Sequence, residues 1–231
     1  MSTLMEDILD AQADGKELLA VLIDPDKFDP ETTTDFLDNI PKQTTHLLVG
    51  GSTVPKGKTQ PVVKSLKQHS NLPVLLFPGS YDQLTPEADG LLFLSLLSGR
   101  NPEYLIGQQL KAVPFLRDND LEVIPTAYLL IDGGTQSAVA KVTQTKPMDP
   151  NMVGHIVDTA KAGQLMGAGM VYLEAGSGAA HPVPPQLIEA VDKDLDIPLI
   201  VGGGIRTMEQ RQTAYQAGAT MVVIGTALEQ S

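Results

Sequence analysis

The run Val171-Tyr172-Leu173-Glu174-Ala175-Gly176-Ser177-Gly178 joins a strand-like apolar stretch to one carboxylate and a turn of small residues. Two later runs end in the same way: Pro198-Leu199-Ile200-Val201-Gly202-Gly203-Gly204-Ile205-Arg206 and Met221-Val222-Val223-Ile224-Gly225-Thr226. Glycine lets the backbone approach an anion and aim its N–H groups at it. The three turns together therefore predict a phosphate cradle built from Gly176, Ser177, Gly178, Gly203, Gly204, Gly225 and Thr226. Any one of them alone serves equally well as a tight strand-to-helix connection. Glu174 ends an otherwise apolar strand, where a carboxylate aimed at a site mouth is partly desolvated and suited to act as a base. The plainer alternative is a carboxylate paired with Lys or Arg. Tyr172 lies two residues earlier and so points the same way in a strand; its phenol either joins the site or fills the core.

A second group sits near the N-terminus. Asp24-Pro25-Asp26-Lys27 closes an apolar run with two carboxylates, and hard oxygen ligands suit Mg²⁺, which keeps several waters and takes one or two carboxylates plus substrate phosphates. Asp24 is the expected metal ligand and Asp26 the turn cap. Ser52, in Leu48-Val49-Gly50-Gly51-Ser52-Thr53, adds a hydroxyl or is a turn residue. Asp132 closes the fifth apolar run. With Asp24 it would form an acid–base pair of the kind phosphosugar isomerases use, which is the alternative reading of the chemistry.

The elements that must position these groups follow from the pattern. Apolar, β-branched runs predict strands over 18–24, 46–52, 73–78, 90–98, 122–132, 170–177, 198–204 and 221–226. Helical patterns over 31–40, 59–69, 102–117, 151–166, 185–195 and 207–217 alternate with them, and only a short turn follows Tyr81. Eight such units predict a single-domain, modified (β/α)8 TIM barrel, whose closure buries every strand edge and gathers sites at the strand C-termini. Residues 1–15 read as an amphipathic helix. Five residues follow Thr226, too few for an eighth barrel helix, so either the N-terminal helix covers that gap or the chain is cut short. Residues 133–150 are expected to be a long loop, of the sort that often acts as a lid.

Composition narrows the function. The 231 residues are 42% hydrophobic, enough for a sizeable core, and the formal charge of −12 without a Lys/Arg cluster argues against a nucleic-acid surface. The absence of cysteine excludes disulfides, thiolate catalysis and Cys-type zinc sites. The N-terminus is acidic rather than a cationic leader, and no apolar run approaches the ~18 residues of a membrane span. A cytoplasmic protein is expected.

Asp24-Pro25-Asp26-Lys27, Val49-Gly50-Gly51-Ser52, Ser98-Gly99-Arg100-Asn101-Pro102, Ser137-Ala138-Val139-Ala140, Tyr172 to Gly178 and Gly202 to Arg206 together resemble the geranylgeranylglyceryl phosphate synthase family, with its related bacterial heptaprenylglyceryl phosphate synthases. The resemblance covers residues 18–229, and Tyr-Leu-Glu-Ala-Gly-Ser-Gly is its most specific element. It implies a Mg²⁺-dependent prenyltransferase that alkylates the C3 hydroxyl of sn-glycerol 1-phosphate with geranylgeranyl diphosphate, releasing diphosphate. By position it places the metal on Asp24 and Ser52. Glycerol phosphate falls to Tyr172, Leu173, Glu174, Ala175, Gly176, Ser177, Gly178, Gly203, Gly204, Gly225 and Thr226, with catalysis on Glu174 and Tyr172. The prenyl chain needs an apolar groove, for which the 90–98 run and Tyr104 are candidates; Tyr104 either limits chain length or packs in the core. A homo-oligomer is implied, with peripheral membrane contact for product release. Some family members carry Lys two residues before the first-strand Asp. Leu22 stands there in this chain, so the phosphate rests more on backbone groups. A silent, ligand-binding barrel is the non-enzymatic alternative.

Overall fold

A computed structural model describes residues 2–225. Eight parallel strands close into a barrel in sequence order: β1 Leu18–Ile23, β2 His46–Val49, β3 Val74–Leu76, β4 Gly90–Leu96, β5 Glu122–Leu130, β6 Met170–Glu174, β7 Leu199–Gly202 and β8 Met221–Gly225. β8 returns to β1 through Leu18↔Met221 and Ala20↔Val223. The (β/α)8 expectation therefore holds. The strands read as nearly unbroken apolar runs because both faces are covered. Alternate residues divide into two shells. Leu48, Leu75, Tyr128, Tyr172, Ile200 and Val223 pack inside the barrel, whereas Val21, Val49, Leu129, Leu173 and Val201 pack outward against the helices.

Strand ends fall one to three residues earlier than the apolar runs suggest. The reason is visible at the glycines: Gly176 and Gly203 take φ values of 100° and 82°, which turn the chain out of the sheet at once. The outer helices are α2 Thr33–Asn39, α3 Thr59–His69, α4 Gln108–Arg117, α6 Val153–Leu165, α7 Pro185–Asp192 and α8 Met208–Gln216. α8 begins on a capping box between Thr207 and Gln210. After β3 there is only a 3₁₀ turn, Tyr81–Gln83, as the sequence suggests. The predicted helix over 102–117 is instead a π-helical turn, Glu103–Gly107, running into α4.

Two expectations are corrected. Residues 133–150 are not a plain loop: they contain the short helix α5 Ala138–Thr143, N-capped by the Ser137 side chain and ended by Gln144 in the left-handed region. An isolated bridge, Ile131↔Met148, closes the segment behind it. Ser137 before a run of small apolar residues is the N-cap signal that marks this helix. The N-terminal helix α1, Leu4–Ala13, does not flank β8. Its buried Ile8 and Ala11 join the inner shell beside Leu18 and Met221, so the helix closes the barrel floor. The question of an eighth helix falls on residues 226–231, outside the described residues.

The floor is pinned by one carboxylate. Glu122, at the start of β5, accepts hydrogen bonds from the N–H groups of Leu4 (2.7 Å) and Met5 (2.8 Å). These are donors that a helix N-terminus leaves without an internal partner. Glu122→Ala is expected to cost about 1–2 kcal/mol. For a chain of this size that lowers Tm by roughly 2–8 °C, which thermal denaturation followed by circular dichroism will read. Among the described residues, no helix is long and apolar enough to cross a membrane.

Candidate active site

A cleft of about 1390 Å³ opens at the C-terminal ends of the strands. Asp24, Ser52, Glu174, Ser177, Gly178, Gly203, Gly204, Gly225 and Tyr104 all line it, so residues from the turns after β1, β2, β6, β7 and β8 share one cavity. The other expected residues lie differently. Tyr172 is fully buried one layer below Glu174, and Leu173 faces the outer shell. Ala175 and Gly176 are buried behind the cleft wall, while Thr226 lies outside the described residues.

Glu174 is 6% exposed. Its Oε1 accepts the Gly176 N–H at 2.7 Å. Burial raises its pKa above the usual carboxylate value, and the Tyr172 hydroxyl and the Gly176 N–H oppose that rise. The turn after β7 presses against it. A Cβ at Gly203 would sit 2.4 Å from Glu174 Oε1 and 2.5 Å from the Gly176 nitrogen. One at Gly202 would sit 2.5 Å from the Tyr172 hydroxyl and 2.9 Å from Glu174 Oε2. Glycines here thus serve close approach: the backbone of the second turn packs directly on the carboxylate that the first presents. Gly176 in turn abuts Ser137, whose Cβ would lie 2.6 Å from a Cβ at Gly176. This sets α5 beside the same turn.

Below Glu174 lies an aromatic cluster. Phe77 stacks on Tyr172 (centroids 5.2 Å, 25°), and Tyr128 meets Tyr172 edge-on at 5.4 Å. β5 and β6 place the two tyrosines directly opposite each other. Phe77 and Tyr128 line the cleft, and neither tyrosine hydroxyl has a hydrogen-bond partner among the described residues. Sequence reasoning passed over Tyr128. The signal available was its inward parity on β5 with the other inner-shell residues.

At the β1 end, Asp24 Oδ1 accepts the Asp26 N–H at 3.1 Å, and Oδ2 pairs with Lys27 Nζ at 2.8 Å. Among the described residues, no group of three or more His, Asp or Glu side chains forms a metal cage. One carboxylate with a nearby hydroxyl from Ser52 still suits Mg²⁺, whose remaining positions are ordinarily filled by water and substrate phosphates. Arg206, also passed over as a site residue, lines the cleft beside Gly203 and Gly204 and donates from Nη2 to the Ala179 carbonyl at 2.6 Å. Asp132 is absent from the cleft lining and exposed; its Oδ1 accepts the Gly134 N–H. The structure therefore does not assemble the Asp24–Asp132 pair of the isomerase reading.

The cleft has an apolar arm. Leu91, Leu92, Phe93, Leu94, Tyr104, Ala112, Val139 and Val142 line it. Leu91 and Phe93 belong to the outer face of β4, which is open to the cleft because a 3₁₀ turn stands where a helix would follow β3.

The PcrB family pattern matches residues 14–231. The chain belongs to the PcrB family. A relative from Zunongwangia profunda, named geranylgeranylglyceryl phosphate synthase, is 53% identical over 99% of this chain and 98% of its own length. One of the same name from Thermococcus kodakarensis is 41% identical over 98% and 90%. Among solved structures, the (S)-3-O-geranylgeranylglyceryl phosphate synthase of Thermoplasma acidophilum, in complex with sn-glycerol-1-phosphate, superposes with a TM-score of 0.91. It is 35% identical and covers 100% of this chain and 93% of its own. The resemblance read from the sequence is thereby borne out, and this PcrB-family chain shares the barrel of its relatives from floor to mouth.

Proposed function

We propose that this PcrB-family protein is a Mg²⁺-dependent prenyltransferase that joins the C3 hydroxyl of sn-glycerol 1-phosphate to geranylgeranyl diphosphate. The observation that carries the reading is the union of three chemistries in one cleft: glycine turns packed around a buried carboxylate, a carboxylate–hydroxyl pair, and an apolar arm. The relatives named as synthases and the glycerol-phosphate complex of the Thermoplasma acidophilum enzyme support it.

In this mechanism the turns at Gly203, Gly204 and Ser177 hold the phosphate by backbone contact, with Arg206 beside them. Glu174 is held through Oε1 by Gly176, which leaves Oε2 to accept the proton of the C3 hydroxyl. The C3 hydroxyl oxygen, its proton passing to Glu174, forms a bond to C1 of the prenyl chain as the C1–O bond to diphosphate breaks, and the bonding electrons leave with the diphosphate. Asp24 and Ser52 would hold Mg²⁺, which supplies charge neutralisation on the departing group when bound. The faces of Phe77 and Tyr128 exclude water below the reacting atoms and present aromatic surface to the allylic carbon, where positive charge develops. The apolar arm takes the tail.

Purified protein supplied with Mg²⁺, sn-glycerol 1-phosphate and a mixture of C15, C20 and C35 diphosphates is expected to release diphosphate and give the C20 ether, identified by product mass. No ether at saturating substrates, or undiminished turnover in EDTA, refutes the proposal.

A further inference from the structure

Lys27 follows the first-strand carboxylates and has no part in the reading above, yet it is one of only two cationic side chains lining the cleft among the described residues. The other is Arg206, tethered at the glycine turns by the Ala179 carbonyl. Against these two stand Asp24, Asp29, Asp35 and Glu174. A cleft with that balance repels a diphosphate unless its cations are well placed.

The Asp24 carboxylate is divided between two tasks. Its Oδ1 takes the Asp26 N–H and faces the Gly51 backbone, where a Cβ would come within 3.0 Å. Its Oδ2 carries Lys27 at 2.8 Å. With Oδ1 engaged by the turn, Oδ2 is the oxygen left for a ligand, and its partner, the 78% exposed Lys27 side chain, is free to leave. A metal taking Asp24 through Oδ2 and the Lys27 ammonium want the same atom.

We infer that Lys27 is a substrate-binding residue that exchanges partners: it neutralises Asp24 Oδ2 in the free protein and moves to the diphosphate once a divalent cation occupies that oxygen. This rests on the reading of Asp24 as metal ligand. The exchange conserves charge pairing at each stage. The Asp24 carboxylate keeps a cationic partner throughout, and the ammonium is released beside the residue that would hold the metal. An exposed ion pair of this kind is weak enough for a divalent ion to displace.

The test separates the two claims by opposite signs. Mn²⁺ binding is measured by water-proton relaxation, and inorganic diphosphate binding in the presence of Mg²⁺ by calorimetry. They are compared for the native protein and for Lys27→Met, Lys27→Arg and Asp24→Asn. Removing the competitor in Lys27→Met is expected to tighten Mn²⁺ about two- to fivefold and to weaken diphosphate about tenfold. Lys27→Arg should stay near the native protein on both measures. A Mn²⁺ affinity that is unchanged or lower in Lys27→Met, or an unchanged diphosphate affinity, overturns the exchange while leaving Asp24 as ligand. Native protein that takes up no Mn²⁺, or Asp24→Asn that binds it undiminished, overturns the metal assignment and the exchange with it.

Discussion

Glu174→Gln is expected to lower kcat/KM by about 10²–10⁴-fold, the usual worth of a positioned general base, and at the same time to raise Tm. Both effects have one cause. The carboxylate is buried, and burial lifts its pKa, so the folded chain holds that proton more tightly than the unfolded chain does. Stability from this group is therefore present below the unfolded pKa and declines as pH rises through the folded value. Above the folded pKa the ionised carboxylate is carried at a cost. Glutamine keeps an oxygen for the Gly176 N–H and removes the buried charge. The gain in Tm is read by calorimetry, roughly 2–4 °C for each kcal/mol in a chain of this size, and it should vanish at acidic pH where Glu174 is itself protonated. The rate of the native enzyme follows the opposite course: it falls as pH drops through the raised pKa, so the acid limb of kcat/KM lies above the ordinary glutamate value. An active Glu174→Gln protein removes Glu174 from the chemistry. An inactive one with unchanged Tm leaves the burial argument without support.

Gly203→Ala carries the second large effect. The residue has φ 82° and a Cβ there would lie 2.4 Å from Glu174 Oε1 and 2.5 Å from the Gly176 nitrogen. Left-handed backbone costs a non-glycine residue about 1–2 kcal/mol, but the collision matters more, because it pushes apart the two turns to which the proposed mechanism assigns the phosphate and the base. Displacement of reacting groups by about 1 Å is worth about 10²-fold in rate. We expect at least that loss in kcat/KM, together with weaker binding of sn-glycerol 1-phosphate by calorimetry, in a protein whose circular dichroism remains native. Gly225 provides the contrast. It lines the same cleft, shows no positive φ, and a Cβ there meets none of the described atoms within 4 Å. Gly225→Ala should therefore retain far more binding than Gly203→Ala. Equal losses would mean that small size at the cleft, rather than contact with Glu174, is what these glycines supply.

Period and punctuation in the sequence are enough for the barrel, because a strand buried on both faces reads as an apolar run and its exit is marked by residues that turn the chain, glycine after β2, β6 and β7 and Asp-Pro after β1. Glu174, Asp24 and Ser52 were legible for the same reason: each interrupts or follows such a run at the end where sites gather. Tyr172 shows the limit of parity. Its inward direction is right, but parity does not say which inward side chain meets the cleft: Tyr172 is covered by Phe77 and Glu174, while Tyr128, level with it on the next strand, reaches the wall. Lys27 and Arg206 look like ordinary surface charges until the fold brings their turns to one rim. The task of α1 was hidden because an amphipathic helix can pack against a barrel's side or its end with the same pattern. What decides is Glu122, more than a hundred residues away, waiting for the helix N-terminus.

The missing helix after β3 lets the apolar arm run from the inner side chains of β4, Leu92 and Leu94, out onto the flank of the barrel at Leu91 and Phe93, while α1 seals the floor. A hydrocarbon lying along such an arm grows longer without shifting its reactive end. Its length is felt only by the residues it newly reaches. On the proposed reading, cargo size and bond formation would thus be read by separate parts of the molecule, and exchanges along the flank would re-size the cargo while the rim of turns stays as it is.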